Sequence, residues 1–272
     1  MATPEANRDE EPNMPLNRLV LLAAIALLAG CAGVPTIDTR YTAASQDSRV
    51  QYLVLHYTQG SFSRSLDILT RGPVSSHYLV DIDPPTVYRL VDENRRAYHA
   101  GVSAWQGQTQ LNAASIGIEI VNPGYRDGPE GRVWIDYPQP QIDAVIALVK
   151  DIVRRHEIRP DRILGHSDIA PQRKIDPGPR FPWKQLADAG IIPWPDPDRV
   201  ATRLAEYQQN LPDVEWFQRR LARHGFAVPI TGELDEPTLR VIAAFQMKYR
   251  QAKFDGQPDA ETAAILDVLT TK

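Results

Sequence analysis

The chain has 272 residues, 43% hydrophobic and 24% charged, which is room for one or two domains with the composition of a folded globular protein. A formal net charge of −4 argues against a nucleic-acid binder, which would carry a basic surplus. The single cysteine, Cys31, excludes an intrachain disulfide and any metal site built on several thiolates, so a metal here must be held by His, Asp or Glu.

Residues 1–13 are polar and acidic, a poor start for a targeting segment. From Met14 the pattern changes to Met14-Pro15-Leu16-Asn17-Arg18 followed by an apolar run from Leu19 to Leu28. A positive residue, a short apolar core and small residues at its end describe a secretory signal, and point to Met14 as the true start. The run is too short to be a comfortable permanent span. It ends Leu28-Ala29-Gly30-Cys31, which resembles the bacterial lipobox. That resemblance implies cleavage before Cys31 and lipidation of its thiol. The competing reading is an ordinary signal peptide with a chance cysteine. Ala32 stands where an aspartate would hold such a lipoprotein in the inner membrane, so an outer-membrane anchor facing the periplasm is expected. Residues 1–31 are thus read as extension and signal peptide, and 32–48 as a flexible tether.

Val50 to Thr58 predicts a strand, apolar on both faces, with His56, Tyr57 and Thr58 at its end, where α/β sheets place ligand sites. Ser61 to Leu69 predicts a short helix capped by Ser61. Ser75–Val80 and Thr86–Val91 predict a hairpin turning at Asp83-Pro84-Pro85. His77 either lines a site or sits in the core. Ala97 to Trp105 is a loop that holds His99 among small residues. In Ser115-Ile116-Gly117-Ile118-Glu119-Ile120-Val121 the isoleucines share one face, so Glu119 projects from the other. A carboxylate in an apolar strand is costly unless paired or functional. Glu119 is therefore the leading general-base candidate, with a structural ion pair as the alternative. Residues 124–131 read as loop. From Tyr137 to about His156, Ile142, Val145, Val149 and Ile152 mark an amphipathic helix, with His156 a structural residue of its last turn.

Residues 165–179 read as a loop of little regular structure, bounded by Gly and Pro and dense in chemistry: His166, Asp168, Arg173, Lys174 and Asp176. Residues 181–192 suit a short helix. Pro193 to Pro197 is a stiff connector within a linker at 193–210. Residues 211–272 read as three helices with a weak internal echo, Phe217-Gln218 with Phe245-Gln246 and Thr231-Gly232 with Asp255-Gly256.

His56, His166 and Asp176 can supply a three-ligand zinc site with one open position. Glu119 would then take a proton from the bound water, and Lys174 would steady the developing oxyanion. Asp168 is read as a brace of the loop.

His56 after its strand, Ser76-His77-Tyr78, His99-Ala100-Gly101-Val102-Ser103, Ser115 to Glu119, Gly165-His166-Ser167-Asp168 and Arg173 to Gly178 together resemble the amidase-2 family of N-acetylmuramoyl-L-alanine amidases. The resemblance covers residues 50 to about 192. It implies an α/β fold, a mixed central sheet flanked by helices, over a catalytic domain at 49–192. It also implies Zn2+ on His56, His166 and Asp176, Glu119 as base and Lys174 as transition-state stabiliser. Tyr57, Thr58, His77, His99 and Arg173 are expected to bind substrate. Residues 211–272 resemble a three-helix peptidoglycan-binding domain. The expected activity is cleavage of the amide between N-acetylmuramic acid, including its 1,6-anhydro form, and L-alanine. The competing readings are a non-catalytic peptidoglycan receptor on the same fold and a lipid-anchored docking scaffold.

Overall fold

A computed structural model describes residues 35–129 and 131–271. Cys31 and the apolar run before it lie outside the described residues. The chain divides into two units, residues 1–46 and 47–272. The described part of the first has bends but no helix or strand, and carries an ion pair between Asp38 and Arg40. Among the described residues no helix is long and apolar enough to cross a membrane.

The second unit is built on a five-stranded sheet. Its strands are β1 (Tyr52–Tyr57), β2 (Tyr78–Val80), β3 (Val87–Arg89), β6 (Ser115–Ile120) and β9 (Ile163–Gly165). They lie side by side in the order β3-β2-β6-β1-β9. β3 is antiparallel to β2, as the Pro-rich turn between them requires, and the remaining pairs are parallel. The sheet is therefore mixed, with helices on its faces. The two-stranded ribbon β4 (Ala104–Trp105) with β5 (Gln108–Thr109) lies between β3 and β6 in the chain.

Period two decides what each face of the sheet does. Leu53, Leu55, Ile116, Ile118 and Ile120 join one buried cluster with Ile142, Val145, Val149 and Ile152 of helix α2 (Gln139–His156). Each such side chain contributes about 1.5–3 kcal/mol by leaving water. Their neighbours Tyr52, Val54 and Leu164 belong to a second cluster on the opposite face. Phe217, Leu221, Val241, Phe245 and Leu266 of the C-terminal helices complete that cluster. α1 (Phe62–Arg71) covers Leu79 and Val121 at the sheet edge.

The structure corrects two expectations. Residues 125–128 and 131–134 pair as a hairpin, β7 (Tyr125–Gly128) with β8 (Gly131–Trp134), held by the edge-on Tyr125 and Trp134 rings 5.3 Å apart. The stretch expected to be featureless from Gly165 opens with a helical turn, α3 (His166–Ile169). Asp168 folds back to accept a hydrogen bond from the Gly165 N–H at 2.8 Å, which closes that turn.

After α4 (Trp183–Asp188) the chain runs through α5 (Pro197–Gln209) into α6 (Val214–His224), α7 (Glu236–Tyr249) and α8 (Ala260–Thr270). Asp196, Asp213, Asp235 and Asp259 cap these four helices, each accepting from a backbone N–H at 2.9 Å. The echo in the sequence has a physical basis. Gln218, fully buried, accepts from Gly232 N–H and donates to Glu233 O and Thr238 Oγ1. Gln246, also fully buried, accepts from Gly256 N–H and donates to Gln257 O and Thr262 Oγ1. The same glutamine-pinned turn occurs twice.

Candidate active site

The register of β1 on β6 places His56 beside Glu119, Val54 beside Gly117 and Tyr52 beside Ser115. All of these project from the face opposite α2. His166 begins α3 directly after β9, and Asp176 returns to it through a backbone bond from Ser167 N–H to Asp176 O of 2.8 Å. The three side chains converge: His56 Nδ1 lies 2.9 Å from His166 Nδ1, and Asp176 Oδ2 lies 3.1 Å from each. Among the described residues this is the cluster able to hold a metal ion.

The outer nitrogens settle what the inner ones can do. Ser115 Oγ donates to Leu111 O at 2.6 Å, so it accepts from His99 Nε2, 3.2 Å away. His99 Nδ1 then carries a lone pair and accepts from His56 Nε2 at 3.0 Å. His166 Nε2 donates to Ala100 O at 3.2 Å. Both histidines therefore turn bare Nδ1 lone pairs toward the carboxylate of Asp176. Two lone pairs and an anion crowded within hydrogen-bonding distance repel one another unless a cation lies between them. Tetrahedral zinc with ligand bonds of about 2.0–2.1 Å needs ligand–ligand edges of about 3.3 Å, which this triangle approaches. The donor set of two imidazoles and one carboxylate fits zinc.

Electrostatics agree with that role. Burial, and then the neighbouring His166, push the His56 imidazole down to about 4, so it is neutral and able to bind metal at neutral pH.

Glu119, Lys174, Tyr57, Thr58 and Arg173 line the same cavity, of about 400 Å3, together with the three ligands. Glu119 Oε2 is buried and has no hydrogen-bond partner. Burial pushes its carboxyl well up, the charge of Asp176 adds to this, and Lys174 opposes it. Exposed Ile68, Val74 and Tyr98 form an apolar rim.

The other expected contacts divide. His77 does not reach the cavity. It is fully buried, with Nδ1 accepting from Gly117 N–H at 3.0 Å and Nε2 donating to Arg95 O at 3.1 Å, so its ring is committed to backbone. His99 touches the cavity, but both its nitrogens are engaged, one with His56 and one with Ser115. It orients a ligand and leaves no polar atom for substrate. Arg173 spends Nε on Val102 O and Nη2 on Val102 O and Ala100 O, so it fixes the loop carrying His99. Cys31 lies outside the described residues.

Sequence reasoning missed Ser115, Gly117 and Asn112. Asn112 Oδ1 accepts from the backbone N–H groups of His99 and Ala100 at 3.0 and 2.7 Å and so sets that loop. A Cβ on Gly117 would stand 2.5 Å from the His99 ring, so this strand position must be glycine for His99 to lie behind His56. A glycine interrupting an isoleucine-rich strand beside Glu119 was the available signal.

Residues 46–179 match a family model described as N-acetylmuramoyl-L-alanine amidase, and residues 210–266 one described as a putative peptidoglycan-binding domain. The chain is 45% identical to the N-acetylmuramoyl-L-alanine amidase AmiD of Escherichia coli K12, over 93% of this chain and 96% of that one. It belongs to the amidase-2 family. Other family members align too. The 1,6-anhydro-N-acetylmuramyl-L-alanine amidase AmpD of Enterobacter cloacae is 31% identical over 67% of this chain and 86% of its own. In structure, E. coli AmiD in complex with the substrate anhydro-N-acetylmuramic acid-L-Ala-D-γ-Glu-L-Lys superposes with a TM-score of 0.78. That match is at 42% identity and covers 86% of this chain and 93% of AmiD. AmpDh3 of Pseudomonas aeruginosa gives a TM-score of 0.80 at 39% identity, covering 87% of this chain and 98% of its own. The mixed sheet with flanking helices is the amidase fold, and the family's metal is zinc.

Proposed function

We infer that the protein is a zinc-dependent N-acetylmuramoyl-L-alanine amidase. It hydrolyses the amide joining the lactyl carboxyl of N-acetylmuramic acid to L-alanine, and muropeptides carrying the 1,6-anhydro sugar are among its substrates. The observation that carries this reading is the convergence of two bare imidazole nitrogens and a carboxylate beside a glutamate with one buried, unpartnered carboxylate oxygen. A receptor that merely bound peptidoglycan would need neither.

Bound zinc supplies a Lewis acid that polarises the carbonyl and acidifies water. The protein does the rest. His99 and Ala100 O hold the two imidazoles in the tautomers that leave Nδ1 free. Glu119 accepts a proton from the attacking water at its cavity-facing carboxylate and later delivers one to the departing amine of L-alanine. Its raised affinity for protons suits both tasks, and Lys174 keeps that affinity from rising too far. The Lys174 ammonium also steadies negative charge growing on the carbonyl oxygen. Products are a free lactyl carboxylate and a peptide with a free amino terminus. Tyr57 and Thr58 offer contacts to the substrate from the strand end.

The short apolar run closing in Leu28-Ala29-Gly30-Cys31 supports a signal peptide and lipid anchor on Cys31, and Ala32 supports retention at the outer membrane, facing the periplasm. The peptidoglycan-binding match of residues 210–266 supports a C-terminal module that meets the polymeric wall. The enzymatic reading is tested by digesting intact sacculi and soluble anhydro-muropeptides in parallel. Peptides with a free amino-terminal L-alanine are expected, and intact muropeptides in both digests would refute it. The anchor is tested by fractionating cells that express Cys31→Ala. The variant should appear in the soluble fraction, and continued sedimentation with membranes would refute lipidation at that residue.

A further inference from the structure

The family match marks the C-terminal helices as a separate wall-binding module. Yet one of their side chains leaves the module and ends inside the amidase fold. Lys248, on α7, has only 5% of its surface exposed. Its ammonium donates to Asp168 Oδ2 at 2.8 Å and to Ile163 O at 3.1 Å, and lies 4.3 Å from the centre of the Trp183 ring. A buried charge is costly, and here every direction of the ammonium is answered: a carboxylate, a carbonyl and an aromatic face.

The partners matter more than the pair. Asp168 follows the metal ligand His166 by two residues, and its Oδ2 also closes α3 on Gly165 N–H. Ile163 is the first residue of β9, which leads to His166. Trp183 packs against Gly165, where a Cβ would stand 3.2 Å from the indole and 2.8 Å from Pro177, the residue after the metal ligand Asp176. Lys248 thus stands at the point where the segment entering His166 meets the segment leaving Asp176.

Three further hydrogen bonds to α7 and the turn after it fasten the rest of this segment. Arg240 donates to Gln172 O while the Gln172 side-chain amide donates to Pro237 O at 3.0 Å. Gln251 donates to Phe181 O at 2.6 Å. Backbone from Ile163 to Phe181, which carries two of three ligands and Lys174, is clamped at both ends and in the middle by residues of the helical module.

We propose that Lys248 is a positioning residue for the metal centre, and that the C-terminal helices are part of the catalytic unit, setting the geometry of His166 and Asp176 through Asp168. This rests on the zinc reading of the His56–His166–Asp176 cluster. The test is zinc affinity of the full-length protein, measured by competition with a chromophoric chelator at a temperature where folding is confirmed by circular dichroism. Lys248→Met should weaken zinc binding about ten-fold, the low end of the cost of losing a group bonded directly to a ligand, since Lys248 acts through Asp168 and the backbone. It should lower kcat with little change in KM. Lys248→Met together with Asp168→Asn removes the stranded charge, so the double variant provides folded protein if the single one does not, and it should stay weakened for zinc. Wild-type affinity in either folded variant overturns the proposal. If the unaltered protein itself fails to bind one zinc, the metal-centre reading fails instead.

Discussion

At the scale of single residues, the site depends on hydrogen bonds that decide which nitrogen carries a proton. His56 can ligate only because His99 accepts its outer N–H, and His99 can accept only because Ser115 takes the proton on its far side. Gly117→Ala puts a methyl 2.5 Å from the His99 ring, so that ring must move. The expected result is a protein that folds but binds zinc about 10–100-fold less tightly, read by isothermal titration of the apoprotein. Glu119→Gln keeps the shape and removes the base. It should retain zinc by metal analysis and lose about two to four orders of magnitude in turnover. Loss of zinc would instead make Glu119 a ligand. His56, Glu119, His166 and Asp176 stand out in the sequence because polar residues at strand ends and in a Pro-bounded loop demand a reason. The roles of His77 and His99 are not legible there, since a histidine looks the same whether its nitrogens face substrate, backbone or another imidazole.

Among the elements, the parallel register of β1 and β6 does the positioning. A slip of either strand by one residue would turn its own site residue, His56 on β1 or Glu119 on β6, toward the α2 core and its leucines or isoleucines toward the cavity. The alternation of isoleucines with Gly117 and Glu119 makes that register legible in the sequence. The hairpin of β7 and β8 has no such signal. Its residues are mostly exposed, and it is held by Tyr125, Trp134 and Arg132 stacked across the strands, without any burial pattern. The edge of α2 is fastened to the chain after β3 by Glu93, which accepts from Arg155, the Tyr78 hydroxyl and His156. Burial alone would raise its carboxyl, but these three donors, Arg155 foremost, bring it down to about 2. A carboxyl acidified by folding binds fewer protons in the native state than in the unfolded one. Its contribution is therefore complete above about pH 4.5 and is lost as pH falls toward 2. Glu93→Gln should cost about 1–3 kcal/mol at neutral pH. It should also flatten the acid limb of stability measured by urea unfolding between those values. An unchanged acid limb would show that Glu93 does not report this contact.

For the whole molecule, one sheet separates two hydrophobic clusters, α2 behind and the C-terminal helices in front, with the metal site at the front. Sequence reading finds both the amidase portion and the helices, because each has its own periodicity. It does not find that Val54 and Leu164 of the sheet share a core with Phe217 and Phe245, since nothing in a helix's pattern says which partner covers it. We infer that this assembly hydrolyses the muramoyl–alanine amide with a zinc ion held by His56, His166 and Asp176. The most direct test is single-substrate hydrolysis of an anhydro-N-acetylmuramoyl peptide in water enriched with heavy oxygen, followed by mass spectrometry. The zinc-loaded enzyme should place heavy oxygen in the lactyl carboxylate of the sugar and release unlabelled peptide with a free amino-terminal L-alanine. Chelated enzyme and His166→Ala should release none, and zinc should restore only the former. Equal cleavage by chelated enzyme, or label entering any other bond, would rule out zinc-dependent hydrolysis of this amide.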